Sequence, residues 1–279
     1  MKLIADSGST KTTWVLAERG RVKHTILTPG LNPYFHSSAS VGAVLREDLV
    51  PGLVPDTIRE IHFYGAGCST ETNNALLKSA MGAFFKHANI YIYHDILGAA
   101  RALFGTGKGI ACILGTGCNS CYYDGEDIAM GVPSLGYLFG DEGAGSNLGK
   151  RFMEAYLKDK LPPELRSDFD RRYNLSLEDI LNALYNRPYP NRFLASFSEF
   201  IAPRQAHPFL AELIRSSFQA FFDEQVKKYE NYNEVPVSFV GSIAYYYKDI
   251  LLEVAEENRV RTGKILRSPI EGLLDFHQP

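Results

Sequence analysis

The fold is decided by a short turn of small and polar residues, Asp6-Ser7-Gly8-Ser9-Thr10-Lys11. The apolar residues 3–5 before it are predicted as a strand, and residues 12–16 after it are rich in strand formers. A second turn, Arg19-Gly20, leads into a third strand at 22–27. The sequence therefore predicts a three-stranded antiparallel meander whose first connection is built from glycine and hydroxyl groups.

The same opening pattern returns in the second half of the chain. Residues 105–109 have the composition of a hinge, and a strand at 110–114 follows them. Another turn of small residues, Gly115-Thr116-Gly117, then leads into strands at 119–123 and 128–130. Because both halves begin with the same meander, we interpret the chain as an internal duplication.

The remainder of each half alternates helices with strands. The first half continues with helices near 41–49, 71–86 and 96–104 and with strands at 61–64 and 89–93. In the second half, residues 141–230 are almost wholly helical in pattern, and strands at 237–240 and 264–266 follow. This order predicts two α/β domains, residues 1–106 and 107–279, with a helical elaboration in the second.

Composition excludes several classes of protein. The 279 residues are 45% hydrophobic and 22% charged, and 29 basic against 32 acidic side chains give a net charge of −3. This balance lacks the basic surface of a general nucleic-acid binder. The chain has no apolar run long enough for a membrane span, and an acid at position 6 interrupts any signal peptide. We therefore expect a cytoplasmic protein.

Four cysteines in a chain of this length do not form a disulfide scaffold. Cys118 and Cys121 have the spacing of a redox or metal pair, but no second pair accompanies them, and in a strand their thiols would point to opposite faces. We expect all four to be buried or incidental.

The two small-residue turns have the chemistry of phosphate-binding loops. The first offers uncrowded backbone N–H groups, hydroxyl donors, the ammonium of Lys11 and a carboxylate that could hold Mg²⁺. Two other nucleotide motifs fail, because a P-loop would need glycine where Ala144 stands and a dinucleotide fingerprint would need glycine or alanine where Thr70 stands.

On these motifs the chain resembles the sugar kinase, heat-shock chaperone and actin superfamily, and within it the N-acetylglucosamine kinase group and the related ATPases that activate radical dehydratases. Besides the two turns, the resemblance rests on Asp95 after its strand, on Gly140-Asp141-Glu142-Gly143 before a long helix and on Val240-Gly241-Ser242-Ile243. It covers nearly the whole chain. It implies an α/β fold of two duplicated ribonuclease-H-like domains with a nucleotide cleft between them.

The resemblance also implies roles for individual residues. Asp95 would be the catalytic base, and Asp6 would hold Mg²⁺ through water. ATP would be bound by the two phosphate loops and an adenosine loop, at Ser7, Gly8, Ser9, Thr10, Lys11, Thr12, Gly115, Thr116, Gly117, Gly241 and Ser242. The sugar would be bound by Asn32, Asn119 and Asp141. In the second phosphate loop, Cys118 stands where the family usually has serine.

From the residues alone, simpler interpretations stay open. Asp95, between a strand and a helix, is placed where α/β proteins bind ligands, but an aspartate there can also just cap its helix. Asp6 can form an Asx turn, Asn32 precedes a proline in a common turn pair, and Lys11 can be a solvated turn residue. His94 is expected on the opposite face of its strand from Asp95, in a structural role.

The resemblance favours an ATP-dependent kinase that converts N-acetylglucosamine to its 6-phosphate, with other hexoses and muramic acid derivatives open as substrates. An ATPase activator of a radical dehydratase is an alternative and would need cysteine ligands for a shared iron–sulfur cluster. A nucleotide-dependent chaperone or assembly module is a third. The expected partner is a small-molecule sugar, without nucleic acid or membrane. The oligomeric state stays open, with a homodimer among the options.

Overall fold

The structure, a computed structural model, describes residues 1–278, which fold as two compact units. The first unit comprises residues 1–108 and 123–128 and the segment from 268 onward, and the second comprises 109–122 and 129–267. The sequence predicted a boundary between residues 106 and 107. The tail from 268 onward, which that boundary assigns to the second domain, packs with the first unit instead.

The first unit is built on a five-stranded sheet in the order β3-β2-β1-β4-β5. Its strands are β1 (Lys2–Ser7), β2 (Lys11–Glu18), β3 (Arg21–Pro29), β4 (Glu60–Gly65) and β5 (Asn89–His94). The first three pair antiparallel as the predicted meander, while β4 and β5 run parallel to β1. This mixed sheet confirms the predicted α/β class.

The second unit repeats the arrangement. Its strands are β6 (Gly109–Leu114), β7 (Cys118–Tyr123), β8 (Ile128–Val132), β9 (Val237–Val240) and β10 (Thr262–Leu266). Their order, β10-β9-β6-β7-β8, is that of the first sheet read from the other side, and β9 runs parallel to both β6 and β10. The shared strand order confirms the predicted duplication.

Helices follow the predicted pattern, with shorter bounds in two places. The first unit holds α1 (Ser38–Val44), α2 (Glu71–Gly82), α3 (Asp95–Phe104) and, from the tail, a last helix at Ile270–Phe276. The predicted helix at 41–49 is divided between α1 and a π-helical turn at Leu45–Leu49, and the predicted helix at 71–86 ends at Gly82.

The second unit carries most of the helical residues. They form α4 (Gly136–Phe139), α5 (Gly145–Leu157), α6 (Pro163–Tyr173), α7 (Leu177–Tyr185), α8 (Pro190–Ser196), α9 (Ser198–Ile201), α10 (Pro208–Glu224), α11 (Ser242–Tyr246) and α12 (Lys248–Glu257); the last helix of the chain is α13 (Ile270–Phe276). Within residues 1–278, no helix is long and apolar enough to span a bilayer.

Each unit has its own apolar core. In the first, Trp14 on β2 lies against Phe63 on β4, with ring centroids 5.6 Å apart, and both rings are fully buried. In the second, Phe152 of α5 and Phe200 of α9 both contact Phe169 of α6, with centroid distances of 5.1 and 5.3 Å. These cores hold the strand ends, and therefore the loops that follow them, in fixed positions.

Helix α13 binds to the first unit through close packing and a buried polar cluster. A Cβ added to Gly272 would lie 2.3 Å from the carbonyl oxygen of Ala102 on α3, so only glycine allows this approach. Beyond the helix, Arg101 donates to the Tyr64 hydroxyl oxygen at 3.0 Å, and that hydroxyl lies 2.8 Å from Nε2 of His277. A neutral His277 ring can accept the Tyr64 hydroxyl proton at Nε2.

This cluster predicts acid sensitivity. Burial, followed by the nearby charges of His62, Arg101 and Lys2, lowers the pKa of His277 from its ordinary 6.5 to about 3. Because the folded-state pKa lies below the unfolded value, the stabilisation is present above about pH 6.5 and is lost as the pH falls towards 3. We expect urea unfolding between pH 7 and 5 to show a loss of up to about 1.4 kcal/mol per pH unit from this residue.

The variant His277→Gln should make this pH dependence shallower. His87→Gln, which alters a histidine whose side chain is 60% exposed, is the matched control and should leave it unchanged. Equal slopes for wild type and His277→Gln would contradict the assignment.

Candidate active site

Strands β1, β4 and β5 run parallel, so their carboxyl ends lie side by side at one end of the first sheet. Ser7 on β1 is in register with Gly65 on β4, and Gly65 is in register with His94 on β5. This alignment brings Asp6 and Asp95 close enough to interact electrostatically. The predicted metal ligand, Asp6, and the predicted base, Asp95, therefore lie near each other at this end of the sheet.

The first phosphate loop is held by its own hydroxyls. The hydroxyl groups of Ser7 and Thr12 lie 2.7 Å apart and are buried; Ser7 Oγ accepts the Leu31 N–H, and Thr12 Oγ1 donates to the Pro29 carbonyl. Both side chains thus hold the loop, and their predicted contact with nucleotide would have to come from the backbone.

The tip of this loop is exposed. The Gly8 N–H donates to the Lys11 carbonyl at 3.0 Å, which closes the turn and leaves Gly8, Thr10 and Lys11 on the surface. A Cβ on Gly30 would lie 2.4 Å from the Gly8 carbonyl oxygen. The segment around residue 30 can therefore pack against the loop only because residue 30 is glycine. The loop is therefore rigidly backed and open to a ligand on its outer side.

Asp95 begins α3 with one carboxylate oxygen engaged and the other available. Its Oδ1 accepts the Ile96 N–H at 2.8 Å and lies 2.8 Å from Nδ1 of His94. Its Oδ2 forms no hydrogen bond with residues 1–278, and the side chain is 22% exposed. The Asp95 side chain therefore combines a hydrogen bond to the first turn of α3 with an available carboxylate oxygen.

His94 contacts Asp95 rather than lying on the opposite face, so that sequence expectation was wrong. Burial acts to lower the pKa of His94, but the hydrogen bond to Asp95 and its charge outweigh this effect, and the pKa is raised. The 2.8 Å contact between Nδ1 and Oδ1 helps to fix the orientation of the carboxylate. The strand alternation failed because β5 ends at His94, where the backbone turns into α3.

Asp6 is partly buried beside Asp95. Burial, and then the negative charge of Asp95, raise the pKa of Asp6 to about 7, although Lys11 opposes the shift. Two carboxylates that disfavour simultaneous ionisation in this way form a suitable environment for a divalent cation.

Asn32 adopts the turn that its sequence context predicted. Its Oδ1 accepts the Tyr34 N–H at 3.0 Å, and a Cβ on Gly67 would lie 2.4 Å from the same oxygen. Gly67, at φ +81°, thus leaves room for the Asn32 side chain after β4. The Nδ2 group of Asn32 forms no hydrogen bond with the described part of the chain and can donate to a ligand.

The second phosphate loop, in the other unit, is anchored by backbone bonds. The Gly115 N–H donates to the Gly117 carbonyl, while the Gly115 and Thr116 carbonyls accept the N–H groups of Gly145 and Ser146 on α5. No Cβ contact restricts Gly115. The loop is therefore fixed from the α5 side and open at Gly115.

The Asp141 side chain stabilises this loop through hydrogen bonds. Its buried carboxylate accepts the Cys118 N–H at 3.0 Å and the Ser146 hydroxyl at 3.2 Å, and a Cβ on Gly117 would lie 2.8 Å from Oδ1. Burial raises the pKa of Asp141, and the two hydrogen bonds oppose that shift. Since a carboxylate has about four lone-pair positions, acceptor capacity remains for a ligand.

The remaining predicted contacts lie near this loop. Asn119, on β7, uses Oδ1 to accept the Ser120 N–H at 2.9 Å. Gly241, at φ +127°, precedes the exposed Ser242, and a Cβ on it would lie 2.2 Å from the Leu114 carbonyl oxygen. The predicted adenosine loop therefore packs directly against the end of β6.

All four cysteines are buried, as the sequence predicted. Burial raises the pKa of Cys68 to about 12 and that of Cys112 and Cys118 well above the ordinary value. Among the tyrosines at 245–247, Tyr247 is buried and its hydroxyl donates to the Ser198 carbonyl, while its two neighbours are exposed.

Sequence reasoning missed three supporting residues: Gly30, Gly67 and Ser146. The two glycines are required by close approaches between segments distant in sequence, and Ser146 by its bond to Asp141. A Ser in the first turn of the helix after Asp141 was the one local signal available.

The fold is similar to that of several solved structures. A candidate N-acetylglucosamine kinase from Porphyromonas gingivalis is 40% identical to this chain, covers 100% of it and 99% of its own length, and superposes with a TM-score of 0.96. The chain matches no family model and no curated protein.

Two more distant structures share the fold. A candidate N-acetylglucosamine kinase from Chromobacterium violaceum is 16% identical, with a TM-score of 0.76 and coverage of 99% of this chain and 98% of its own. A glucokinase of the ROK family from Streptomyces griseus, solved with glucose and AMPPNP, is 12% identical, with a TM-score of 0.62 and coverage of 98% and 97%.

Proposed function

The chain belongs to the sugar kinases of the sugar kinase and actin-like superfamily, and on that premise we propose that it transfers the γ-phosphate of ATP to the 6-hydroxyl of N-acetylglucosamine. The observation that carries the proposal is Asp95, whose carboxylate is fixed through one oxygen and available through the other. Phosphoryl transfer to an alcohol needs one such carboxylate to accept the proton of the attacking hydroxyl.

In the proposed reaction, the Oδ2 atom of Asp95 takes the proton from the sugar hydroxyl. The Ile96 N–H and the ring of His94 keep Oδ1 in place, so that the base does not have to be ordered when the substrate arrives. In the first unit, the proposed phosphate contact is the backbone of the Gly8–Lys11 tip, where Lys11 adds positive charge. In the second unit, it is the backbone of Gly115–Gly117.

Mg²⁺ fits the environment of Asp6. The raised pKa of Asp6 reports a pair of carboxylates that a cation would stabilise in the ionised form. Mg²⁺ takes only one or two protein carboxylates and keeps most of its water, so Asp6 would hold it together with the phosphates of the nucleotide. When bound, Mg²⁺ would neutralise charge on the phosphates.

The sugar contacts are proposed for the amide of Asn32, for Asn119 and for the remaining acceptor positions of Asp141. These groups are short and polar, and each is already held by a hydrogen bond to its own backbone surroundings. Such fixed groups distinguish sugar hydroxyls by geometry rather than by flexibility.

The sugar preference is tested by a coupled assay of ADP release over a panel of hexoses. We expect kcat/KM for N-acetylglucosamine to exceed that for glucose by more than about tenfold, because a site built for the acetamido group leaves buried polar groups unpaired when glucose binds. Equal values for the two sugars would reassign the protein to a general hexokinase, and turnover of no sugar would refute the kinase proposal.

The dehydratase activator is the weaker alternative. Its cluster would need accessible thiolates, whereas all four cysteines are buried and burial raises the pKa of Cys68, Cys112 and Cys118.

A further inference from the structure

Strand β5 forms one free edge of the first sheet. The Asn89 N–H donates to the Arg59 carbonyl at 2.8 Å, towards β4. In a parallel ladder, the backbone groups of successive residues point alternately to the two sides of the strand. The N–H and carbonyl groups of Tyr91 therefore also point towards β4, and those of Ile90 and Ile92 point outward. Within residues 1–278, neither outward N–H has a hydrogen-bond partner.

This edge lacks the features that block edge-to-edge pairing elsewhere in the molecule. The opposite edge, β3, contains Arg21 and Lys23 and ends at Pro29, and its ladder is interrupted by a bulge. In the second sheet, β10 carries Lys264 and a register shift, and β8 contains Gly131. Strand β5, Asn89-Ile90-Tyr91-Ile92-Tyr93-His94, has no lysine, arginine, proline, glycine or bulge. Exposed strands of this kind are templates for pairing with another strand.

Beside the edge runs an open groove of about 370 Å³. Its walls are the residues 90–93 of β5 and four residues of α2, namely Glu71, Asn74, Ala75 and Lys78. The groove gives a further strand access to the outward backbone groups of β5.

We propose that the occupant is β5 of a second copy of this chain, so that two molecules form a dimer with one continuous sheet. In an antiparallel arrangement about a two-fold axis at Tyr91, Ile90 of each copy pairs with Ile92 of the other, and all outward N–H and carbonyl groups of these residues are satisfied. The two Tyr91 side chains, each 43% exposed in one chain, then face each other as a cross-strand pair.

The charges that line the groove fit the same symmetry. Glu71 lies in the first turn of α2, and Lys78 lies two turns further along. A two-fold axis beside the helix reverses the order in the second copy, so the acidic end of one α2 comes opposite the basic end of the other. An unrelated peptide would have no built-in match of this kind. The proposal rests on the sheet edge and does not depend on the proposed function.

Sedimentation equilibrium of the full chain tests the dimer. We expect twice the chain mass for the wild type and at least tenfold weaker association for Tyr91→Lys, which places two like charges opposite each other at the axis. Ile92→Pro removes an outward N–H without removing a bond to β4 and should also weaken association. The matched control is Tyr185→Lys on α7, where the tyrosine is 80% exposed, and it should remain dimeric. A monomeric wild type, or a dimer unaffected by Tyr91→Lys, would overturn the proposal.

Cysteine cross-linking tests the register. Residues directly opposite in a non-hydrogen-bonded antiparallel pair lie about 4.5 Å apart between Cα atoms, within disulfide range. Tyr91→Cys should therefore form a cross-linked dimer under mild oxidation. Asn89→Cys, on the same face but away from the axis, should not, because its opposite residue is Tyr93. Equal cross-linking of the two variants would refute the register, and cross-linking of neither would refute the interface.

Discussion

Asp95→Asn is expected to lower kcat by roughly 10²–10⁴-fold while KM for ATP changes by less than about threefold. The asparagine retains an oxygen that can accept the Ile96 N–H, so the start of α3 should be preserved. It cannot take a proton from the sugar hydroxyl. Steady-state kinetics with saturating sugar, together with a thermal unfolding curve, separates this loss from misfolding.

The matched control is Asp56→Asn, which makes the same chemical change in an aspartate whose side chain is 85% exposed. It should leave kcat unchanged. A wild-type kcat for Asp95→Asn would remove Asp95 from the mechanism, whereas an equal fall in both variants would indicate a nonspecific effect.

The fold was predictable because its information is local. The strand formers at residues 12–16, the glycine turns and the helical pattern after residue 141 each specify an element within a short window, and the repeat of the opening meander specifies the duplication. The position of α13 was not predictable in this way. Its packing depends on Gly272 meeting Ala102 and on His277 reaching Tyr64, contacts between residues far apart in sequence.

For the candidate site as well, local motifs were predictable from the sequence and long-range contacts were not. The two phosphate loops, Asp95 and Asn32 could be proposed from short motifs. What each side chain is bonded to could not, because Ser7 and Thr12 satisfy each other and the Asp95 carboxylate meets His94 only after β5 ends and α3 begins. Tertiary contacts thus turn several predicted ligand contacts into supports for the loop backbone, and this is the level at which sequence patterns stop being informative.

Asp141 is the residue for which this distinction matters most. Asp141→Ala is expected to lower kcat/KM for the sugar by at least about tenfold, because charge-assisted hydrogen bonds to ring hydroxyls contribute roughly 1.5–3 kcal/mol each. The same change leaves the Cys118 N–H without its partner and should lower the free energy of unfolding by about 1–3 kcal/mol. Kinetics with sugar and with ATP varied separately, together with urea unfolding, measures the two effects.

Asp141→Asn separates the two roles of this side chain. The amide can still accept the Cys118 N–H through its oxygen and donate to the Ser146 hydroxyl through its nitrogen, so the second phosphate loop keeps both of its contacts. It loses the negative charge that would accept two hydroxyls strongly. If Asp141 binds the sugar, Asp141→Asn should raise the sugar KM nearly as much as Asp141→Ala while restoring stability and leaving KM for ATP unchanged. If Asp141→Asn instead has wild-type kinetics, the carboxylate acts only through the loop, and the sugar contact must be reassigned.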